Sequence, residues 1–211
     1  MSLARVHNFA ISLDGFGTGE GLAKDAFFGH AGERLHEWMF ATQWWKKSGG
    51  SVGVDNAFVE RHGPGIGAEI MGAGKFGHPG WHEDPDWKGA WGPNPPFHTP
   101  VFILTHHVRP SLEMEAGTTF HFIDASPAEA LETAREAAGG QDVRIGGGPT
   151  VLRDFLAAGL VDQAHIAVVP ILLGRGVPLW RGLEGLEEGY QVEAVSAPSG
   201  VTHVTFTRRG A

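Results

Sequence analysis

The sequence predicts an α/β domain built on a mainly parallel sheet. Three observations carry that expectation. Short apolar runs alternate with amphipathic helical segments along most of the chain. Pro100 to Thr105 (PVFILT) is apolar almost throughout, as a strand covered on both faces would be. The tail, Tyr190 to Val195 and Val201 to Thr207 around Pro198-Ser-Gly200, has the form of a closing antiparallel hairpin. With 211 residues, 42% hydrophobic and 19% charged, the chain can bury a sizeable core. No linker or repeat divides it, so residues 1–211 are expected to form one domain.

The elements follow in order. Leu3 to Leu13 is an apolar strand stopped by Asp14-Gly15, and residues 16–32 are a glycine-rich loop. Glu33 to Trp45 has apolar residues at Leu35, Trp38, Met39, Thr42 and Trp45 on one helical face, and Ser48-Gly-Gly-Ser51 ends that helix. Asp55 to Arg61 is a second helix, with Asp55 as N-cap or first-turn acid. Ala68 to Met71 is a short strand. Residues 72–99 form a long irregular loop, and loops of that length inside compact domains are usually functional or oligomeric. After the Pro100 strand come the strand Thr119 to Ile123 and the helix Pro127 to Ala138, capped by Ser126 and followed by Gly139-Gly140. The strand Asp142 to Ile145, the helix Thr150 to Ala158 and the strand His165 to Pro170 complete the alternation.

Composition excludes several classes. The formal net charge of −8 offers no basic surface for nucleic acid. Cysteine is absent, which removes disulfides, thiolate nucleophiles and zinc sites that need sulfur. The N-terminus lacks the form of a signal peptide, and no apolar run approaches the roughly 18 residues of a membrane span. A cytoplasmic protein without membrane contact is expected.

The glycine run Gly146-Gly147-Gly148 stands where a strand meets a helix. A helix starting near Pro149 or Thr150 would aim free N–H groups and a positive dipole end at that junction, which suits a phosphate. A bare tight turn accounts for the spacing equally well. The run is not a dinucleotide fingerprint of the G-x-G-x-x-G kind, because Val151 occupies the third glycine position and no acid closes the next strand. Gly74-Lys75 is a poor phosphate loop, since Phe76 replaces the hydroxyl and Glu69 stands where the first glycine belongs. His78 and His82 are separated by Pro79-Gly80, and His36-Glu37 lacks a second histidine at Phe40, so no metal site is expected. Ser199 lacks the flanking glycines of a nucleophile elbow.

Three segments together resemble the dihydrofolate reductase-like superfamily, most closely the branch similar to the C-terminal reductase domain of the bacterial riboflavin-biosynthesis deaminase/reductase. They are Ile11-Ser-Leu-Asp-Gly15; Ile70-Met-Gly-Ala-Gly-Lys-Phe-Gly77 with the strand ending Ile103-Leu-Thr-His106; and Ile145-Gly-Gly-Gly148 with Gly159-Leu-Val-Asp162 and Pro170-Ile-Leu-Leu-Gly-Arg-Gly176. In order and spacing they cover nearly the whole chain.

The resemblance implies a three-layer fold, with a mostly parallel central sheet, helices on both faces and NADPH lying across strand ends. It implies Gly72 and Lys75 at the cofactor's phosphates and Thr105 and His106 at the adenosine side. It places Gly146, Gly147, Gly148, Thr150 and Val151 around the pyrophosphate and nicotinamide, with a cis peptide joining the first two glycines. Relatives carry arginine after the second-strand glycine, where Ala73 stands here, so NADH is an alternative to NADPH. The implied reaction is hydride transfer to a C=N or C=O of a small heterocyclic or ribityl-type substrate. Asp55 is the nearest match to the catalytic acid, Asp14, on the cofactor side, is the second catalytic candidate, and Glu33, His36 and Glu37 are possible substrate contacts. Relatives are often homodimers, and exposed Trp81, Trp87 and Trp91 would suit such an interface. A nucleotide-binding homologue without turnover is the alternative.

Overall fold

The computed structural model describes residues 2–210. Its strands are β1 Ala4–Ser12, β2 Phe16–Thr18, β3 Ile66–Gly72, β4 Pro100–Leu104, β5 Leu112–Glu113, β6 Thr119–Ile123, β7 Asp142–Ile145, β8 Gln163–Val169, β9 Val177–Pro178, β10 Tyr190–Ser196 and β11 Thr202–Arg208. The helices are α1 Glu37–Phe40, α2 Gln43–Lys46, α3 Val54–Glu60, α4 Ala73–Phe76, α5 Pro127–Ala137 and α6 Pro149–Ala157. Nine of the strands form one sheet in the order β10-β11-β8-β1-β7-β3-β4-β6-β5. From β8 to β6 all neighbours are parallel, and β11, β10 and β5 add antiparallel edges. The small pair β2–β9 stands apart from this sheet.

Alternation along the strands sorts the two faces. On one, Val6, Ile11, Ile70, Val143 and Ile145 meet the apolar sides of α5 and α6. Helix α5 starts at the expected N-cap Ser126, which forms a reciprocal capping box with Glu129 worth about 1 kcal/mol. The other face has two separate apolar clusters. Ala10, Ala167 and Val169 lie under Trp38 and Val59 at one end, and Met71, Val101, Ile103, Phe120 and Phe122 lie under Phe76 and Trp81 at the other. Between these clusters the same face carries Glu69 and Arg144, which are direct register partners on β3 and β7.

A bulge in β1 makes this division possible. The register against β8 shifts between Val6 and Phe9, and Asn8 takes a φ of 55°. The extra residue changes the phase of the strand, so Val6 and Ile11 share a face despite their odd separation.

Three expectations are corrected. The helix expected over Glu33 to Trp45 is three short pieces: a 3-10 segment Gly29–Leu35, then α1 and α2. Thr42 is extended (φ −71°, ψ 157°), because Ala41 and Gln43 exchange backbone hydrogen bonds with Ser51. That tertiary pairing outweighs helical periodicity. The expected loop 16–32 contains β2, which pairs with distant β9. The tryptophans of the 72–99 segment, expected to be exposed, are buried (Trp81) or half-buried (Trp87 and Trp91). Trp81 is 3% exposed, the Trp87 indole N–H donates to the Phe76 carbonyl, and Trp91 packs on Phe97 and Phe120. The segment covers the β3–β4–β6 end of the sheet, where Val101, Ile103 and Phe120 would otherwise meet water. Among the described residues, no helix is long and apolar enough to cross a membrane.

Candidate active site

Because β1, β7, β3 and β4 are parallel, their carboxyl ends lie along one edge, and the glycine run leaves β7 in its middle. Two backbone bonds fasten it to β3: Gly146 N–H to the Ile70 carbonyl (2.7 Å) and Gly72 N–H to the Gly147 carbonyl (2.8 Å). A side chain at Gly146 would place its Cβ 2.1 Å from Glu69 Oε1, and one at Gly147, where φ is +93°, would meet the Phe9 ring at 2.9 Å. Gly148 differs, for no heavy atom lies within 4 Å of a Cβ built there. Two glycines therefore answer to internal packing and the third opens on unfilled space. The cis peptide joins Gly147 and Gly148, not the first two glycines as expected.

Helix α6 follows at once, with Pro149 in its first turn. The N–H groups of Gly147, Gly148, Thr150 and Val151 have no protein partner among the described residues. They form a donor set at the positive end of a helix, suited to a phosphate or pyrophosphate. Beside it lies a cleft of about 330 Å³ whose lining includes Thr105, His106, His107, Asp124, Val151 and Asp154. Ala73, directly after Gly72, lines it too. The fold thus brings Gly72, Thr105, His106, Gly148, Thr150 and Val151 to one edge. A dinucleotide's phosphate and adenosine portions fit that combination of donors and groove.

Lys75 is placed elsewhere. Its Nζ donates to the Gly146 carbonyl (2.9 Å) and to Glu69 Oε1 (3.1 Å), beneath the glycine turn rather than in the cleft. Glu69 is wholly buried and also binds the Arg144 guanidinium through Oε2. Burial pushes its carboxyl up, but Arg144 and then Lys75 outweigh that and hold it below the ordinary carboxylate range. Arg144 in turn donates to the His62 carbonyl at 3.0 Å. His36, packed 4.4 Å from the Phe28 ring, is lowered to about 4 by burial and then by Lys75. Glu33 and Glu37 on the same segment are exposed.

The two expected catalytic acids are both engaged. Asp14 accepts from Ser12 Oγ (2.5 Å) and from the backbone N–H groups of Leu173 and Gly174. The Ser12 hydroxyl is the largest influence on it, and with the Gly174 and Leu173 amides it outweighs burial and lowers the pKa to about 2. Asp14 thereby ties the end of β1 to the 171–174 loop. Asp55 accepts from His203 Nε2 (2.8 Å) and from Ser199 Oγ (3.2 Å). It sits over β11, which is three strands, roughly 14 Å across the sheet, from β7.

The Asp55 contact ends a chain of fixed polarity. The Asn8 backbone N–H can only donate, so His165 Nδ1 accepts at 3.1 Å and carries no proton. His165 Nε2 then donates to His203 Nδ1 (2.9 Å), and His203 Nε2 donates to Asp55. Phe58 of α3 stacks on both rings, at 4.2 and 4.4 Å. Sequence reading missed two buried polar networks, Glu69 with Arg144 and His165 with His203. For Glu69 and His165 the visible signal was a charged or imidazole side chain inside a mostly apolar strand.

Comparison with known proteins agrees with this architecture. Among solved structures, a protein described as a riboflavin biosynthesis protein from Shewanella sp. PV-4 superposes with a TM-score of 0.62 at 21% identity, covering 99% of each chain. A pyrimidine reductase-like protein from Corynebacterium diphtheriae NCTC gives 0.54 at 14% identity, covering 100% of this chain and 92% of that one. Dihydrofolate reductase from Enterococcus faecalis, in complex with NADP(H) and RAB-propyl, gives 0.50 at 14% identity, covering 99% and 96%. These likenesses show a dihydrofolate reductase-like fold. No curated protein matches the chain. The model of the RibD C-terminal domain matches residues 6–204, and the chain belongs to that family.

Proposed function

We propose that this protein is a nicotinamide-dependent reductase acting on a C=N or C=O of a small heterocyclic or ribityl-type substrate. The observation that carries the reading is the set of unpartnered N–H groups at Gly147, Gly148, Thr150 and Val151, opening beside the cleft of Thr105 and His106. Those groups bind phosphate, and the cleft takes the adenosine portion. The nicotinamide, when bound, supplies the hydride. Lys75 touches the glycine turn and keeps an N–H beyond its two bonds, so it is the group placed to polarise the acceptor. Asp14 and Asp55 act as positioning residues, for the 171–174 loop and for α3 respectively.

Titration of the protein into NADH and NADPH, followed by nicotinamide fluorescence, tests the reading. Saturable binding of at least one at submillimolar concentration is expected, and no binding of either at millimolar concentration sinks it. Loss of nicotinamide absorbance with a panel of pterins and aminouracil ribotides then tests turnover. The second reading, a binder without turnover, is favoured by one observation: neither Asp14 nor Asp55 is free to serve as an acid at the glycine turn. Binding without turnover across the panel would support it.

Asp55→Asn separates positioning from proton donation. Asparagine still accepts from His203 but loses a charge-assisted bond, so stability is expected to fall by about 1–2 kcal/mol. Cofactor affinity should stay within about twofold. Turnover abolished in a variant of unchanged thermal midpoint would assign Asp55 as the acid instead.

A further inference from the structure

The cleft beside α6 carries a charge pattern that bears on the adenosine ribose. Its lining includes two carboxylates, Asp124 and Asp154, and neither lysine nor arginine. The cations of the surrounding elements are committed elsewhere. Lys75 is bonded to Glu69 and the Gly146 carbonyl. Arg109, on the chain after β4, lies over the rings of Phe122, Trp81 and Phe76 at 4.5, 5.0 and 5.4 Å, with Nη2 donating to the Trp87 carbonyl. Arg153 of α6 donates to the Pro178 carbonyl on β9. The lining histidines have partners as well. His106 Nδ1 lies 2.9 Å from Asp124 Oδ1, and the His107 ring stacks on His82 at 3.6 Å.

A ribose 2′-phosphate needs a guanidinium or ammonium group facing it, whereas a free 2′-hydroxyl needs an acceptor, and a carboxylate serves best. The cleft has carboxylates and no free Lys or Arg. We propose that it selects a dinucleotide with an unphosphorylated adenosine ribose, NADH over NADPH, with Asp124 and Asp154 as specificity-determining residues. This rests on the reading that the cleft receives a nicotinamide dinucleotide.

Dissociation constants for NADH and NADPH, measured by nicotinamide fluorescence on the unmodified protein in one buffer, test it directly. NADH is expected to bind at least about tenfold more tightly, equivalent to about 1.4 kcal/mol. Equal or tighter binding of NADPH overturns the proposal and leaves the nucleotide reading standing. Failure of both to bind overturns the proposal together with that reading. The double variant Ala73→Arg/Asp124→Asn should reverse the preference in the same assay, with the thermal midpoint reporting that it is folded. Competition by AMP and by adenosine 2′,5′-bisphosphate gives a second readout independent of the nicotinamide. AMP should displace NADH at lower concentration from the unmodified protein, and the reverse order contradicts the assignment.

Discussion

Glu69→Gln is expected to lower the unfolding free energy by about 3–5 kcal/mol, read from urea denaturation at neutral pH. The size follows from what the change leaves behind. Arg144 is 5% exposed, and two of its donors, Nε and Nη2, end on Glu69 Oε2. Removing the negative charge strands a buried guanidinium, which costs more than the pair itself contributes. Glu69→Leu/Arg144→Met should regain most of the loss, because Lys75 keeps the Gly146 carbonyl and a side chain 33% exposed to water. A double variant as unstable as the single one would refute this account. Glu69→Gln should also weaken dinucleotide binding, since Glu69 holds Lys75 against the carbonyl of Gly146.

Acid should destabilise the protein well before its carboxylates are protonated. His165 and His62 are lowered to about 3, and His7 and His36 to about 4, in each case chiefly by burial. The fold therefore binds the neutral imidazoles, while the unfolded chain takes up protons below about pH 6.5. Stability is full above that value and falls as pH drops from it toward the folded values. Each of the deepest two contributes a loss of up to about 2 kcal/mol at pH 5, a large share of an ordinary domain's margin. His165 has a second reason, since a proton on Nδ1 would face the Asn8 N–H that it now accepts. Unfolding free energies from urea denaturation at pH 7, 6 and 5 should fall steeply, by an amount on the order of several kcal/mol. A flat profile would mean that these rings are not held neutral. His165→Gln should flatten it in part.

The strand pattern was largely legible in the sequence. Pro100–Leu104, Thr119–Ile123, Asp142–Ile145 and the terminal hairpin occur where alternation or apolar runs place them, and Ser126 caps its helix as expected. Local physics suffices for these, because period and capping depend on residues a few positions apart. Long-range pairing defeated the reading in two places. The Glu33 to Trp45 pattern is helical in period, yet Ser51 pulls Thr42 out of the helix. Phe16–Thr18 forms a strand only because Val177–Pro178 lies against it.

For the site, sequence determined the glycine run between a strand and a helix, the absence of arginine at Ala73 and the order of motifs that marks the family. Tertiary structure alone decided what each residue faces. It turned Lys75 to Glu69, committed Asp55 to His203 and Asp14 to the 171–174 loop, and brought Asp124 and Asp154 to the cleft of Thr105. The physical reason is that periodicity fixes which way a side chain leaves its own strand or helix. The partner it meets there, and hence its charge and its chemistry, comes from chain that may be 148 residues away, as His203 is from Asp55.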